Sequence, residues 1–156
     1  IVIGGAAGAL PPVIGWAIAT NSLSLEPITF FLIIFFWTPS HFWALSLYKA
    51  GDYKRAKIPM LPIIAGTQRT KLNIFVYSLL MTPVVIAPYF FDLGGTIYLT
   101  VSLVMTSYYV LLCYNLLKEN KSKDANVIAR KIFAYSIFYL FVIFFLLLIE
   151  SLIKLI

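Results

Sequence analysis

The sequence predicts an all-α fold, a polytopic membrane bundle of five transmembrane helices. Apolar residues make up 62% of the 156 residues and charged residues only 12%, about half the ~25% that soluble domains carry. Five apolar stretches each match the ~20 residues that a bilayer core requires. Basic residues are almost confined to two of the segments between those stretches. A water-soluble fold is therefore excluded, because lipid must solvate most of the surface.

The first predicted span covers residues 2–20 and is rich in glycine and alanine. Small residues let helices approach closely in lipid, where packing rather than hydrophobicity drives association. Pro11 and Pro12 lack backbone N–H groups, so we expect this helix to bend or break there.

The second predicted span, over residues 28–48, contains the only histidine of the chain, His41. Pro39 lies two residues earlier and should open the helix beside it. Ionisable groups inside a membrane are costly and usually face a cavity or the bundle interior. We therefore favour a functional role for His41; the alternative is a neutral histidine whose ring nitrogens bond a neighbouring helix.

The neighbours of His41 on this helix support the functional interpretation. If the helix runs far enough, the 100° spacing places four residues on one face: Trp37, His41, Tyr48 and Asp52. His41 and Asp52 would lie about 16 Å apart along the axis, so they would not touch but could line one elongated cavity. Trp37 and Trp43 are equally compatible with plain packing or interfacial anchoring.

The charge distribution predicts the topology. The three remaining spans are predicted over residues 72–91, 95–117 and 132–154. Eleven of the twelve Lys and Arg residues lie in the segments 49–71 and 118–131, and only Lys154 lies elsewhere. The positive-inside rule puts both basic segments, taken as loops, on the cytoplasmic side or its mitochondrial matrix equivalent. Five spans then place the C-terminus on the external side.

Residues 48–62, in the first basic segment, contain one carboxylate, Asp52, among four cations. On charge alone, a solvated loop is the favoured interpretation. The functional alternative is a site for a phosphorylated anion, in which Asp52 holds a divalent metal while Lys54 and Arg55 neutralise phosphate oxygens. One carboxylate is too few for an isolated Mg²⁺ site, so further Asp residues would have to come from elsewhere.

The second basic segment alternates Lys with acidic and polar residues, which is typical of a solvated loop near anionic lipid headgroups. It has no interleaved aromatic residues, so nucleic-acid binding has no support. Cys113 is the only cysteine, which excludes an intramolecular disulfide and a thiolate metal site.

Three motifs resemble the family of protoheme IX farnesyltransferases (haem O synthases), within the UbiA-type intramembrane prenyltransferases. The first is the glycine- and alanine-rich run with P-P-V-I-G-W in residues 4–16. The second is W-T-P-S-H-F-W-A-L in residues 37–45, and the third runs from D-Y to P-M-L-P in residues 52–62. Their order and spacing make the resemblance specific, whereas the other spans match only in number and hydropathy.

This resemblance implies a nine-helix all-α fold around a central cavity, with this chain supplying the last five helices. Residues 1–156 would form a single transmembrane prenyltransferase domain that is incomplete at its N-terminus and partnered by the missing helices of the same enzyme. The implied reaction converts farnesyl diphosphate, haem B and water to haem O and diphosphate. The implied location is the bacterial inner membrane or the mitochondrial inner membrane.

The resemblance also implies roles for individual residues. Asp52 would ligate Mg²⁺, directly or through water, while Lys54 and Arg55 contact the diphosphate. His41 would lie on the haem side of the cavity and orient or ligate the porphyrin iron. The other expected substrate-binding residues are Lys49, Tyr48, Tyr53, Trp37 and Trp43. The aspartate-rich N-x-x-x-D-x-x-x-D motif of the family is absent, so we expect the chain alone to be inactive.

Two other functions remain open from the sequence. A transporter or channel half would use proline-broken helices and place His41 on a proton or solute path; it predicts flux without Mg²⁺-dependent diphosphate release. A non-catalytic haem-handling subunit predicts haem binding that survives Asp52→Ala but not His41→Ala. If the chain is instead part of the transferase, farnesyl transfer by the complete protein should fail in both variants.

Overall fold

The computed structural model describes the backbone of residues 1–155 and the side chains of residues 1–154. All the regular secondary structure in this part is α-helical. The helices are α1 (Val2–Ala9), α2 (Pro11–Thr20), α3 (Glu26–Tyr48), α4 (Ala50–Arg55), α5 (Leu61–Ile64), α6 (Thr67–Phe90), α7 (Thr96–Lys118) and α8 (Ser122–Leu155). Five segments are long and apolar enough to cross a membrane, with α1 and α2 counted together, which confirms the predicted number of spans.

The first span bends where the sequence predicts. Leu10 keeps right-handed helical dihedrals, but its N–H bonds the carbonyl of Ala7 instead of continuing the α-helical ladder. The two prolines that follow have no N–H to donate.

The first span packs closely on α3 at Gly5. A Cβ added to Gly5 would lie 3.1 Å from Cγ2 of Thr38. The small residue therefore permits the close approach of α1 to α3.

Four long helices form a closed ring in which α3 packs on α6, α6 on α7, α7 on α8, and α8 on α3. The short connections 91–95 and 119–121 make consecutive helices antiparallel. The α1–α2 pair packs on α3 outside the ring. Large side chains fill the interior, among them Met81, Tyr98, Tyr109 and Tyr139, all with no exposed surface.

Hydrogen bonds between helices link the buried tyrosines. The hydroxyl of Tyr98 donates to the carbonyl oxygen of Val85 at 2.7 Å. Tyr109 donates to Ser40 Oγ at 2.9 Å, and Tyr139 shares a 2.8 Å hydrogen bond with Thr106. Such bonds hold helices together in lipid, where the hydrophobic effect does not.

Two predicted boundaries are wrong. Helix α8 begins at Ser122 rather than at residue 132, and α6 begins at Thr67 rather than at residue 72. Hydropathy marks only the part of a helix that lies in hydrocarbon, and polar residues extend both helices beyond it. The predicted loop 118–131 is therefore mostly helical, and only residues 119–121 lie outside α7 and α8.

The predicted face that reaches Asp52 is also wrong. Helix α3 ends at Tyr48, and Lys49 leaves the helical conformation with φ −104° and ψ 12°. Asp52 lies on the separate helix α4. Gly51, a poor helix former, stands close to the break. His41 and Asp52 thus belong to two elements, not to one continuous face.

Candidate functional site

His41 lies at the interface between α3 and α8 and is only 7% exposed. Both faces of its ring are covered. The Trp37 ring stacks on one at a centroid distance of 4.3 Å, and the Phe133 ring stacks on the other at 4.5 Å. Only the edge of the imidazole could therefore meet a ligand.

Ser136 on α8 fixes the imidazole. Its Oγ lies 2.6 Å from Nδ1 of His41 and 2.7 Å from the carbonyl oxygen of Phe133. A serine hydroxyl has one proton, and the carbonyl can only accept it, so the hydroxyl accepts from Nδ1–H. The neutral ring then has its lone pair on Nε2, which bonds nothing in the described part of the chain. This contact is the one expected from the alternative interpretation of the sequence, in which a ring nitrogen of His41 bonds a neighbouring helix.

Ser136 also anchors the neighbouring aromatic ring. The indole Nε1–H of Trp37 donates to the Ser136 carbonyl oxygen at 2.8 Å. Trp37 and His41, which lie four residues apart on α3, thus both form a hydrogen bond with Ser136 of α8. Sequence reasoning missed Ser136; the available signal was a small polar residue in an otherwise apolar span, a type that often joins helices in lipid.

Tyr48 continues the same face of α3 toward the basic end of the bundle. Its ring meets Phe133 edge-on at 6.1 Å, and the guanidinium of Arg130 lies 5.2 Å from its centroid. The sequence-predicted face is therefore confirmed for Trp37, His41 and Tyr48, which all turn toward α8.

Trp43 lies on a different face of α3. It is buried and meets Tyr77 of α6 edge-on at 5.2 Å. It also lines an apolar recess of about 400 Å³ together with Pro59 and Met60 of the third motif. The structure thus brings Trp43 to the D-Y/P-M-L-P segment and not to His41.

Asp52 and its neighbours in sequence form the second group of predicted residues, on and beside α4. The Asp52 carboxylate accepts from Lys49 Nζ at 3.2 Å and from the guanidinium of Arg55. The pKa of Asp52 is lowered, first by the hydrogen bond from Lys49 and next by that from Arg55. Tyr53 is half-buried and Lys54 is exposed; their side chains do not bond Asp52 among the described contacts.

Residues 1–155 do not fit a complete divalent-metal site. They contain no group of three or more His, Cys, Asp or Glu side chains close enough to hold an ion. Asp52 offers one carboxylate, and two cations already occupy it. Any Mg²⁺ at this position would need ligands from substrate phosphates or from other residues.

The two basic segments lie at the same end of the bundle. The ammonium of Lys71 donates to the Glu119 carbonyl oxygen at 2.6 Å, and the Gln68 amide reaches the Leu117 carbonyl oxygen at 3.5 Å. The first basic segment therefore contacts the α7–α8 connection directly.

The sequence pattern of the UbiA prenyltransferase family matches residues 1–140. The chain belongs to this family. It is 66% identical to the protoheme IX farnesyltransferase of Pelagibacter ubique, over 97% of the chain and 50% of that relative. The enzymes of the same name from Orientia tsutsugamushi and Parvibaculum lavamentivorans are 50% and 45% identical, each over 99% of the chain and 48% and 49% of the relative. No solved structure matches the chain.

Membership of the UbiA family confirms the resemblance that the three motifs carry, and with it a membrane-embedded prenyltransferase fold. The chain spans about half the length of the curated relatives it matches. The roles of His41, Asp52 and the basic residues stay predictions.

Proposed function

We propose that this UbiA-family chain forms part of a haem O synthase, which joins farnesyl diphosphate to haem B and releases diphosphate. One observation carries the proposal: the motifs of residues 37–45 and 52–62 occur in a chain that is 66% identical to a protoheme IX farnesyltransferase. Farnesyl diphosphate and haem B are then its substrates.

The cations of the first basic segment suit the leaving group. In the proposed reaction the allylic C–O bond breaks and its electron pair departs with the diphosphate. Lys49, Lys54 and Arg55 would stabilise the charge that develops there, and cations held in place before the reaction do so best. Asp52 already holds two of the three by ion pairs.

The rest of the reaction builds the new linkage. The vinyl carbon of haem B attacks the allylic cation and forms a C–C bond, which leaves a cation beside the porphyrin. Water adds its oxygen there and releases a proton, so the product bears a hydroxyl. The lone pair of His41 Nε2 suits a haem iron or a porphyrin-side partner, because neutral imidazole is a common haem ligand.

Magnesium is part of the proposal, with Asp52 as one of its ligands. When bound, Mg²⁺ would neutralise charge on the diphosphate oxygens. Because residues 1–155 supply one carboxylate at this position, the other ligands would be the substrate and carboxylates beyond these residues. For the same reason we propose that the 156 residues alone do not catalyse farnesyl transfer.

Trp37 extends the proposed site toward α1. It lines an apolar recess of about 410 Å³ together with glycines of the first motif and Phe42. Apolar, aromatic-lined recesses of this size are typical small-molecule sites. The recess would hold part of the farnesyl chain or of the porphyrin.

The proposal is tested by complementation between two halves. The chain is expressed in bacterial membranes with the half of the Pelagibacter ubique relative that it does not cover, and each piece is also expressed alone. Haem B, farnesyl diphosphate and Mg²⁺ are added, and haem O is measured by mass spectrometry. The relative itself, split at the same position, is the control for reassembly.

Haem O should form from the pair and from neither piece alone. No haem O from the pair, while the split relative is active, would overturn the proposed function. Haem O from the chain alone would overturn its proposed inactivity. In an active pair, His41→Ala and Asp52→Ala should each lower the rate by at least about 100-fold, the scale on which loss of one transition-state contact acts.

A further inference from the structure

A polar pocket lies beside the candidate site, at the basic end of the bundle, and of its lining residues only Tyr48 has a role proposed above. It has a volume of about 310 Å³ and lies where the end of α3, α4, and the starts of α6 and α8 meet. Its polar side chains are those of Tyr48, Thr67, Lys71, Asn120, Ser122 and Asn126. None of its lining residues is acidic.

Lys71 is the unusual member of this lining. It is only 6% exposed, and a buried ammonium is costly unless it is paired. Its contact in the described part of the chain is the neutral carbonyl of Glu119, at 2.6 Å. The ion pairs of that same part involve Asp52 with Lys49 and Arg55, not Lys71. A buried positive charge thus lines a pocket without an anion to compensate it.

Two carboxylates that are adjacent in sequence to lining residues, those of Asp52 and Glu119, are engaged elsewhere. The Glu119 side chain accepts from the backbone N–H of Lys121 at 2.8 Å. Asp52 is held by its own two cations on the outer surface of α4. Asp124, in the first turn of α8, forms no ion pair with Lys71 among the described residues. The charge of Lys71 therefore has no protein counter-ion in the described part of the chain.

The other polar groups of the pocket, like the charge of Lys71, favour an anion as the ligand. Thr67 lies one turn before Lys71 on the same face of α6, and Ser122 lies one turn before Asn126 on α8. Their hydroxyl and amide groups form no side-chain hydrogen bond in the described part of the chain. Thr67 and Ser122 are also the first residues of their helices, where backbone N–H groups and the helix dipole attract anions.

We propose that this pocket binds a phosphate oxyanion, with Lys71 as its counter-ion and Thr67 and Ser122 as hydrogen-bond donors. The phosphate could belong to a free phosphate or diphosphate or to the headgroup of an anionic lipid, since the chemistry of recognition is shared. This site is separate from the Asp52 carboxylate and does not depend on the proposed transferase activity.

The test compares Lys71→Met with Lys123→Met in the purified 156-residue protein. Both variants lose one positive charge at the same end of the bundle, but Lys123 is exposed and lies outside the pocket. Inorganic phosphate and diphosphate are titrated by calorimetry, and thermal unfolding is followed with and without them. Native mass spectrometry in nanodiscs with and without phosphatidic acid shows whether a lipid headgroup is retained.

At least one phosphate source should bind the native chain and Lys123→Met and raise their Tm, and Lys71→Met should bind it at least about 10-fold more weakly. Binding of diphosphate without retained lipid assigns a free anion, and retained phosphatidic acid assigns a headgroup. Equal binding by Lys71→Met and the native chain would overturn the proposal.

A structural role for Lys71 gives a different result. If Lys71 only bonds the Glu119 carbonyl next to the end of α7, Lys71→Met should lower the Tm in phosphate-free buffer and no phosphate source should stabilise the native chain. That pattern would also overturn the proposal. Thr67→Val leaves the contact between Lys71 and Glu119 in place. It should weaken phosphate binding severalfold while the far-ultraviolet circular dichroism spectrum stays unchanged.

Discussion

Among single residues, Ser136 does most to determine what His41 can do. By accepting from Nδ1–H it leaves the Nε2 lone pair available, and by bonding Trp37 it keeps the indole stacked on the imidazole. A partner that fixes one nitrogen commonly sets the chemistry of the other. The helix contact and the functional role are therefore compatible interpretations of one histidine.

A double-mutant cycle measures this contact. We expect His41→Ala and Ser136→Ala to be coupled by about 0.6 kcal/mol and at most about 1.7 kcal/mol, the range found for hydrogen bonds between membrane helices. Thermal or denaturant unfolding in detergent gives the four free energies of unfolding.

Ser102→Ala is the matched control for that cycle. Ser102 is equally buried, but among the described residues its hydroxyl bonds only the carbonyl of Leu99 in its own helix. The effects of Ser102→Ala and His41→Ala on the free energy of unfolding should therefore be additive. If the effects of Ser136→Ala and His41→Ala were additive as well, the hydrogen bond between these two residues would be contradicted.

Asp52 gives a prediction on pH. Its pKa is lowered from the ordinary value of 3.8, chiefly by the hydrogen bond from Lys49. We expect Lys49→Met to raise the pKa of Asp52 toward that value, with Arg55 preserving part of the lowering. The chain has three aspartates, so ¹³C-carboxyl NMR of Asp-labelled protein can follow each titration.

The sign of the effect on stability follows from the direction of this shift. A carboxyl whose pKa is lower in the folded state stabilises the fold above its unfolded pKa, and loses that contribution as the pH falls through the folded value. Asp52 should therefore stabilise the native state at neutral pH and cease to do so in acid. Lys123→Met is the control, and a larger shift of Asp52 in this variant would contradict the assignment.

At the scale of elements, Glu150 joins the end of α8 to the start of α7. Its buried carboxylate accepts from the backbone N–H of Tyr98 at 2.9 Å and from that of Gly95. The first amides of a helix have no partner within the helix, and a negative charge there complements the helix dipole. The acidic side chain is thus explained as a cap from a neighbouring helix.

Hydrogen exchange tests this cap. Glu150→Ala should speed exchange of the Tyr98 amide and destabilise the protein by about 1–2 kcal/mol, the scale of a lost helix cap. Glu150→Gln, which keeps an acceptor without the charge, should fall between native and Ala. Glu119→Ala removes a carboxylate that caps only the amide of Lys121; exchange at Tyr98 that responds equally to this variant would contradict the assignment.

Hydropathy and charge predicted the number of membrane spans but not the bounds of all the helices. The apolar length of each span is a local property, and so is the bend that Pro11 imposes. The turns from Ser122 to Arg130 mix apolar residues with charged and polar ones, so hydropathy does not mark them as part of a span, although they continue α8. The end of α3 at Tyr48 depends on how the chain turns into α4, which hydrophobic periodicity does not encode.

For the molecule as a whole, motif and helix face predicted part of the candidate site. Periodicity correctly placed Trp37, His41 and Tyr48 together, because they lie on one helix. Ser136 could not be assigned from periodicity, since its position opposite His41 depends on how α8 packs on α3. The pocket around Lys71 joins four elements and likewise exists only in three dimensions.

The arrangement of the whole bundle also constrains its orientation in the membrane. Both basic segments meet at one end, as the bond from Lys71 to Glu119 shows, so one orientation satisfies the positive-inside rule for both at once. The opposite end contains the connections 21–25 and 91–95 and the last turns of α8, where Lys154 donates to the Asp92 carbonyl oxygen at 2.5 Å. We propose that the basic end is cytoplasmic.

Cysteine labelling tests that orientation. In a Cys113→Ser background, single cysteines are placed at Lys54 and Lys123 on the basic end and at Ser22 on the other, all exposed positions. A membrane-impermeant maleimide added to intact bacterial spheroplasts should label only the cysteine at position 22, and permeabilised membranes should label all three. Labelling of position 54 but not 123 in intact spheroplasts would contradict the shared end, and labelling of both without position 22 would invert the topology.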